Sequence, residues 1–149
     1  MTMTVLLCTD GSELATNAIR HSLELLATPD QIVVLSVASA IDPTLVTGTG
    51  FAGGVMTFDE KNDIVDAQRA ASQQHVDDAI AELGIAGAET LVVAGDAGSE
   101  ICRAAEKLSA SVVVLGTHGR GGIKRALMGS TSDHVVRHCT CPVLVQGFS

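Results

Sequence analysis

Apolar positions along the chain fall into short, regularly spaced runs. "MTVLLCT" (3–9) is a continuous apolar and hydroxyl run bounded by Asp-Gly, which predicts a strand. "SELATNAIRHSLELLA" (12–27) has helical spacing, with Leu14, Ala18 and Leu25 on one face, and Pro29-Asp30 stops it. "QIVVLSVAS" (31–39) is a second strand whose apolar character implies cover on both faces. A helix is predicted from about Glu60 to Leu83, with Ile64, Ala71, Val76 and Ile80 among its apolar positions. "AETLVVAG" (88–95) is a third strand, "SEICRAAEKLSA" (99–110) a helix and "SVVVLGT" (111–117) a fourth strand. "STSDHVVRHC" (130–139) reads as a short helix and "CPVLVQG" (141–147) as a last strand.

Residues 40–59, "AIDPTLVTGTGFAGGVMTFD", carry no period and are rich in Gly and Thr, so they read as a loop. A loop of that length is uncommon in a compact domain and often functional. The rest is an alternation of five strands and four helices. Such alternation calls for right-handed crossovers, so the expected fold is α/β: an open, doubly wound, Rossmann-like parallel sheet with helices on both faces. The 149 residues suffice for one core and show no internal repeat or linker, so a single domain over 1–149 is expected.

Composition sharpens this picture. Hydrophobic residues are 46% of the chain, Trp and Tyr are absent and Phe occurs three times, so the core is aliphatic. The formal net charge of -8 argues against nucleic-acid binding, which wants a basic face. No apolar run reaches the length of a membrane span. "MTMTVLLCTDGS" lacks a basic region and a long apolar core, so no signal peptide is expected and the expected location is the cytoplasm.

Against that acidic background, "GTHGRGGIKRALMGST" (116–131) stands out. Arg120, Lys124 and Arg125 gather there without any Asp or Glu, among five glycines. Gly116 and Gly119 are separated by two residues, Gly119 and Gly129 by nine, and Ser130 then opens a helix. Glycines let main-chain N–H groups approach an anion closely, and a helix N-terminus adds further N–H groups and a partial positive charge. The segment therefore reads as a phosphate-binding wrap, with the basic side chains supplying an attractive field. Ser130 to Asp133 reads S-x-x-D, a capping box. No Walker A pattern fits, because Lys124 lacks the preceding glycine and following hydroxyl. "GTGFAG" (48–53) matches G-x-G-x-x-G but opens no helix, and it reads as a glycine-rich flap rather than a dinucleotide fingerprint.

Ligands of open α/β sheets sit beyond the carboxyl ends of the strands, where the strand order reverses. Asp10, at the end of the first strand, can accept from a ribose hydroxyl there. It can also cap the first helix, since Asp10-x-x-Glu13 resembles a capping box and Ser12 could do the same. Of the four cysteines, Cys8 and Cys102 sit in apolar patterns and read as small core residues. Cys139 and Cys141 form C-x-C, with His134 and His138 four apart on the preceding helix. These four could make a mixed N/S metal site, or could simply be a helix end running into a buried strand.

At these residues the chain resembles the universal stress proteins of the small, single-domain kind. That family's nucleotide motif is G-x-x-G, nine residues, then G-[S/T], which Gly116, Gly119, Gly129 and Ser130 match without a gap. "VVVLGTHGRGG", "MGSTSDHVVRHCTCPVLV" and "LLCTDGSELA" resemble the family too. The resemblance covers nearly the whole chain and is weakest over 40–60. It implies sheet order 3-2-1-4-5, which makes the first and fourth strands neighbours, and it implies ATP, with Mg2+, as ligand. Asp10 would face the ribose. The backbone near Val37 would meet the adenine, with Leu115 beside it. Gly116, His118, Gly119, Gly129, Ser130 and Thr131 would surround the phosphates. The resemblance also implies a homodimer through the last strand, at Val143, Leu144, Val145 and Gln146; alone, that strand would be an exposed edge. Cys8 replaces a proline common in the family, and His118 stands where a longer basic residue can occur.

The wrap has no Walker lysine and no acidic residue to orient water, so the expected function is an ATP-binding, dimeric regulatory or sensor module in a stress response. Slow hydrolysis, or autophosphorylation at a hydroxyl such as Ser130 or Thr131, fits the same site. The alternatives are a nucleotide-dependent enzyme of a related α/β fold, such as an adenylating enzyme, and a dimeric interaction module that binds no nucleotide. A regulatory protein partner is expected without being identified.

Overall fold

The computed structural model describes residues 1–39, 58–117 and 128–147. In chain order the elements are β1 (Thr4–Cys8), α1 (Glu13–Leu25), β2 (Gln31–Ser39), α2 (Phe58–Leu83), β3 (Glu89–Gly95), α3 (Ala97–Lys107), β4 (Val112–Gly116), α4 (Ser130–His138) and β5 (Val143–Gln146). Every strand and helix expected from the apolar pattern is present. The strands form one parallel sheet in the order β3-β2-β1-β4-β5.

Two boundaries shift for identifiable reasons. The second helix begins at Phe58 rather than Glu60, so that Asp59 and Glu60 lie in its first turn, where acidic groups oppose the helix dipole. The third begins at Ala97 rather than Ser99, because Asp96 caps it: its Oδ2 accepts from the Ser99 N–H at 3.0 Å and the Ser99 hydroxyl at 2.8 Å. The helix also ends early, at Lys107, and Ser109 takes a positive φ of 49° to turn the chain toward β4. The predicted loop over 40–59, with its glycine-rich flap, otherwise lies outside the described residues.

The pleat divides the core. Val5 and Leu7 of β1, Val34 of β2, and Val112 and Val114 of β4 face Ile19 of α1 and Val76 and Ala79 of α2. The alternate residues Leu6, Cys8, Val33, Leu35, Val113 and Leu115 face Ile101, Ala104 and Ala105 of α3 and Val135 of α4. Leu6, Leu7, Val34, Val113 and Val114 are fully buried, which explains the near-continuous apolar runs: each central strand is covered on both faces. Fully burying one such side chain is worth about 1.5–3 kcal/mol, so the three central strands fix the sheet and with it the positions of the strand ends.

Candidate functional site

β1 pairs with β2 on one side and β4 on the other, so the strand order reverses at β1. Leu7 lies beside Val114, and continuing that register two residues sets Thr9 beside Gly116. The polar ends of β1 and β4 therefore meet at the carboxyl edge, the place where such sheets hold ligands.

The segment after β1 is tied in a sequence of short bonds. Thr9 donates its N–H to the Leu35 carbonyl at 2.9 Å, and its buried Oγ1 accepts from the Gly11 N–H at 3.1 Å. Asp10 Oδ1 accepts from the Ser12 N–H at 2.9 Å and from the Ser12 hydroxyl at 2.5 Å. Ser12 Oγ in turn accepts from the Ala15 N–H at 3.1 Å and caps α1. Of the two capping readings for the first helix, Ser12 is the cap, and Asp10 holds Ser12 in place. The Asp10-x-x-Glu13 box does not form. Gly11 has φ +80, a region L-residues avoid, and its backbone is covered by the His75 ring from α2. A Cβ on Gly11 would lie 2.3 Å from His75 Cδ2.

On the β4 side, the two ends of the glycine segment are joined. The Gly129 N–H donates to the Thr117 carbonyl at 2.6 Å. The Ser132 hydroxyl, 2% exposed, lies 3.0 Å from the Thr117 carbonyl and 3.1 Å from the Gly129 carbonyl and donates toward both. Thr117 is itself anchored, its N–H donating to the Gln146 carbonyl at 3.0 Å. The start of α4 is thus pinned to the end of β4.

The expected capping box at Ser130 is not formed. Gly129 is the N-cap of α4, no side chain bonds to it as a cap, and Ser130 is the first helical residue. The Asp133 N–H donates to the Gly129 carbonyl at 2.9 Å, while the Asp133 side chain accepts from Arg137 Nε at 3.0 Å instead of reaching back. The helix starts one residue earlier than the motif implies, because the Gly129 carbonyl already accepts the first intrahelical bond while its backbone is extended. Gly129 has no side chain with which to cap the first turn of α4, and the acidic residue of that turn, Asp133, is paired with Arg137.

Asp10, Gly116, Gly129, Ser130 and Thr131 are thus placed at the carboxyl edge or at the start of α4, which is pinned to it. Ser130 is exposed, and Gly116, Gly129 and Thr131 are half-buried. Val37 is half-buried on β2, two residues beyond Leu35, the partner of Cys8. Leu115 is 4% exposed and packs toward α3 and α4, so what it offers a ligand is main chain. His118, Gly119, Arg120, Lys124 and Arg125 lie outside the described residues. The sequence reading missed Thr9, His75 and Ser132. Thr9 and Ser132 could have been suspected as hydroxyls adjoining the two polar strand ends. His75 lies on a different element with no motif to mark it.

The candidate metal ligands part company. His134 and His138 stack at 4.2 Å between ring centroids, and His138 Nδ1 lies 2.9 Å from the His134 carbonyl. Cys139 and Cys141 pack against the core instead. Among the described residues, no group of three or more His, Cys, Asp or Glu side chains is arranged to hold a metal ion. Nor is any helix among them long and apolar enough to cross a membrane.

With the fold and the mouth of the sheet laid out, comparison with known proteins gives the class. The model of the universal stress protein family matches residues 1–146. The chain belongs to that family. It is 28% identical over 145 residues to universal stress protein YxiE of Bacillus subtilis, covering 95% of this chain and 96% of that one. It is 26% identical over 141 residues to universal stress protein MJ0531 of Methanocaldococcus jannaschii, covering 95% and 79%. Among solved structures, protein MJ0577 superposes with TM-score 0.78 at 22% identity over 100% of this chain and 98% of that one. UspA of Lactobacillus plantarum gives 0.74 at 19% identity over 97% of each. A universal stress protein in complex with cAMP gives 0.64 at 22% identity over 99% of each. An Arabidopsis thaliana family member with AMP bound gives 0.60 at 20% identity over 99% and 92%. Likenesses at these identities speak to the shared fold.

Proposed function

We propose that this chain binds an adenine nucleotide, ATP with Mg2+ in the cell, across the β1/β4 edge, and works as a cytoplasmic dimeric regulatory module of the stress response rather than as an efficient enzyme. The observation that carries the reading is the bond from Gly129 to Thr117, which sets an uncapped helix N-terminus beside the end of β4 and the Asp10 turn. The N–H groups of Ser130 and Thr131 and the helix dipole would receive phosphate oxygens. Asp10 would accept from the ribose, and main chain near Val37 and Leu115 would meet the adenine. Relatives crystallised with cAMP and with AMP support the adenine nucleotide as ligand class. The protein donor set is main chain plus one carboxylate, so magnesium would arrive on the phosphates, as it commonly does.

β5 would be the dimer seam. The Pro142 carbonyl just before it and the Gln146 carbonyl at its end turn toward β4, accepting from Val113 and Thr117 at 3.0 Å each. By the period-two alternation of a strand, the main-chain groups of Val143 and Val145 face the open edge, ready to pair with a second copy.

Calorimetry with ATP, ADP, AMP and cAMP, with and without magnesium, tests the reading. Saturable binding well below millimolar is expected, together with its loss in Gly119→Val, which would set a Cβ in the phosphate path. Absence of binding at millimolar nucleotide overturns it. Steady-state turnover well above about 1 s⁻¹ would place the chain with ordinary enzymes instead.

A further inference from the structure

Two histidines of α4 are held as a pair that nucleotide binding does not use. His134 and His138 are one helical turn apart and project from the same face. Their rings stack with centroids 4.2 Å apart and planes 25° from parallel. Each ring is held in place. His134 sits against buried Gly98 of α3, where a Cβ would lie 2.8 Å from His134 Cβ, Cγ and Cδ2. His138 Nδ1 lies 2.9 Å from the His134 carbonyl. A carbonyl only accepts, so Nδ1 carries the proton, and in the neutral ring the lone pair is on Nε2. Metal-ligating imidazoles are commonly fixed in this way, one nitrogen bonded to a carbonyl or carboxylate while the other ligates.

The surroundings suit a cation. The pair occupies the C-terminal half of α4, toward the negative end of the helix dipole. Arg137, the cationic side chain between the two histidines in sequence, is paired with Asp133 at 3.0 Å. Asp96, the N-cap of α3, is near enough for His134 to help hold its carboxyl below the ordinary value, after the Ser99 N–H and hydroxyl. His134 is half-buried and His138 exposed, so an ion from solvent can reach both.

We infer that His134 and His138 chelate a divalent transition ion of the Ni2+, Cu2+ and Zn2+ group, one ring nitrogen each, with water in the remaining positions. Two nitrogens on a tetrahedral zinc, each about 2.0–2.1 Å from it, stand about 3.3–3.4 Å apart. A tilt of the stacked rings brings their nitrogens to that span without moving the helix. Among the described residues no group of three or more His, Cys, Asp or Glu is arranged to hold an ion, so the two imidazoles are the whole protein ligand set. Cys139 and Cys141 pack against the core and take no part. Such an open site suits capture and exchange of an ion, where a structural centre would be closed. Imidazole selects zinc, copper and nickel, whereas magnesium and calcium want oxygen ligands. This inference does not rest on nucleotide binding, and its test is run without nucleotide, whose phosphates would compete for the metal.

The full chain, labelled with nitrogen-15 and kept in a thiol-free reductant, is titrated with Zn2+ while its five histidines are followed by imidazole NMR. The ring nitrogens of His134 and His138 are expected to shift together and saturate at one equivalent, with the other histidines unmoved and no response to Mg2+. His138→Gln keeps a polar side chain at an exposed position and should leave the circular dichroism unchanged. Losing one of two ligands should weaken Zn2+ binding at least as much as losing an outer-shell partner does, about 10–100-fold. Saturating Zn2+ should raise the Tm of the parent and not that of His138→Gln. Absence of a shift at millimolar Zn2+, or full affinity retained in His138→Gln, would overturn the proposal. So would zinc binding that leaves both histidines unmoved and disappears in Cys139→Ser or Cys141→Ser.

Discussion

Gly11 offers a sharp test of how the turn after β1 is built. Replacing it by alanine perturbs two things that can be separated. Its φ of +80 lies in the left-handed region, which costs an L-residue about 1–2 kcal/mol. The new Cβ would also sit 2.3 Å from His75 Cδ2 and 2.6 Å from both Cγ and Nε2, well inside contact distance. The ring must turn away or the turn must shift, and overpacking of that kind costs about 1–3 kcal/mol. Gly11→Ala is therefore expected to lose about 2–5 kcal/mol in urea unfolding with an unchanged m-value. His75→Ala removes the obstacle but leaves the strained φ. The double variant should recover about 1–3 kcal/mol relative to additivity and retain a deficit of about 1–2 kcal/mol relative to His75→Ala alone. Strict additivity of the two single changes would refute the steric half of the reasoning. A Gly11→Ala variant as stable as the parent would refute both halves.

The other predictions concern the pin at β4, the edge strand and a helix cap. Ser132→Ala removes a buried hydroxyl while the Gly129 N–H still serves the Thr117 carbonyl, so a loss of about 0.5–1.5 kcal/mol is expected, along with weaker nucleotide binding by calorimetry. Unchanged affinity would show that the pin holds the fold and not the ligand. Val145→Pro blocks an outward N–H of β5 without touching its bonds to β4, so light scattering should show a monomer with the parent's circular dichroism. A dimer surviving that change would place the seam elsewhere. The N–H of Ser99, then its hydroxyl, and more weakly His134 hold Asp96 below its ordinary carboxylate value. Its contribution is therefore complete above about pH 4 and is lost as pH falls through the depressed value. Urea midpoints of Asp96→Asn, an uncharged cap, should show a shallower acid loss than the parent, and parallel curves would contradict the assignment.

Much of the architecture could be read from apolar spacing because the central strands are buried on both faces. "TVLLC", "IVVL" and "VVVL" can be apolar throughout only if helices cover both sides, and the strand-helix alternation then leaves few topologies. Helix starts were less legible. Asp96 and Ser12 are both caps in the structure, yet Asp96 stood inside what looked like the turn after a strand, and Asp10 competed with Ser12 for the same role. Candidate caps of one chemical type within two residues cannot be ranked without the backbone angles that decide which side chain faces the free N–H groups.

The site shows a deeper limit of the same kind. Ser130 followed by Asp133 has the spacing of a capping box, and local rules alone would form it. In the structure the Gly129 carbonyl takes the Asp133 N–H and the Gly129 N–H is held at 2.6 Å by Thr117, a residue 12 positions earlier and just past the end of β4. Gly129 is the cap, and it brings no side-chain oxygen of its own to the first turn of α4. A motif that reads as self-sufficient capping thus ends as a glycine-capped N-terminus, which is the feature that the proposed phosphate contact uses. The glycine at 129 matters on this account because it can be the cap without filling the space where a ligand's oxygens would lie. On the proposed function, a side chain at 129 would compete with the nucleotide for the first turn of α4, so Gly129→Ser is expected to weaken nucleotide binding in calorimetry, and unchanged affinity would contradict that role.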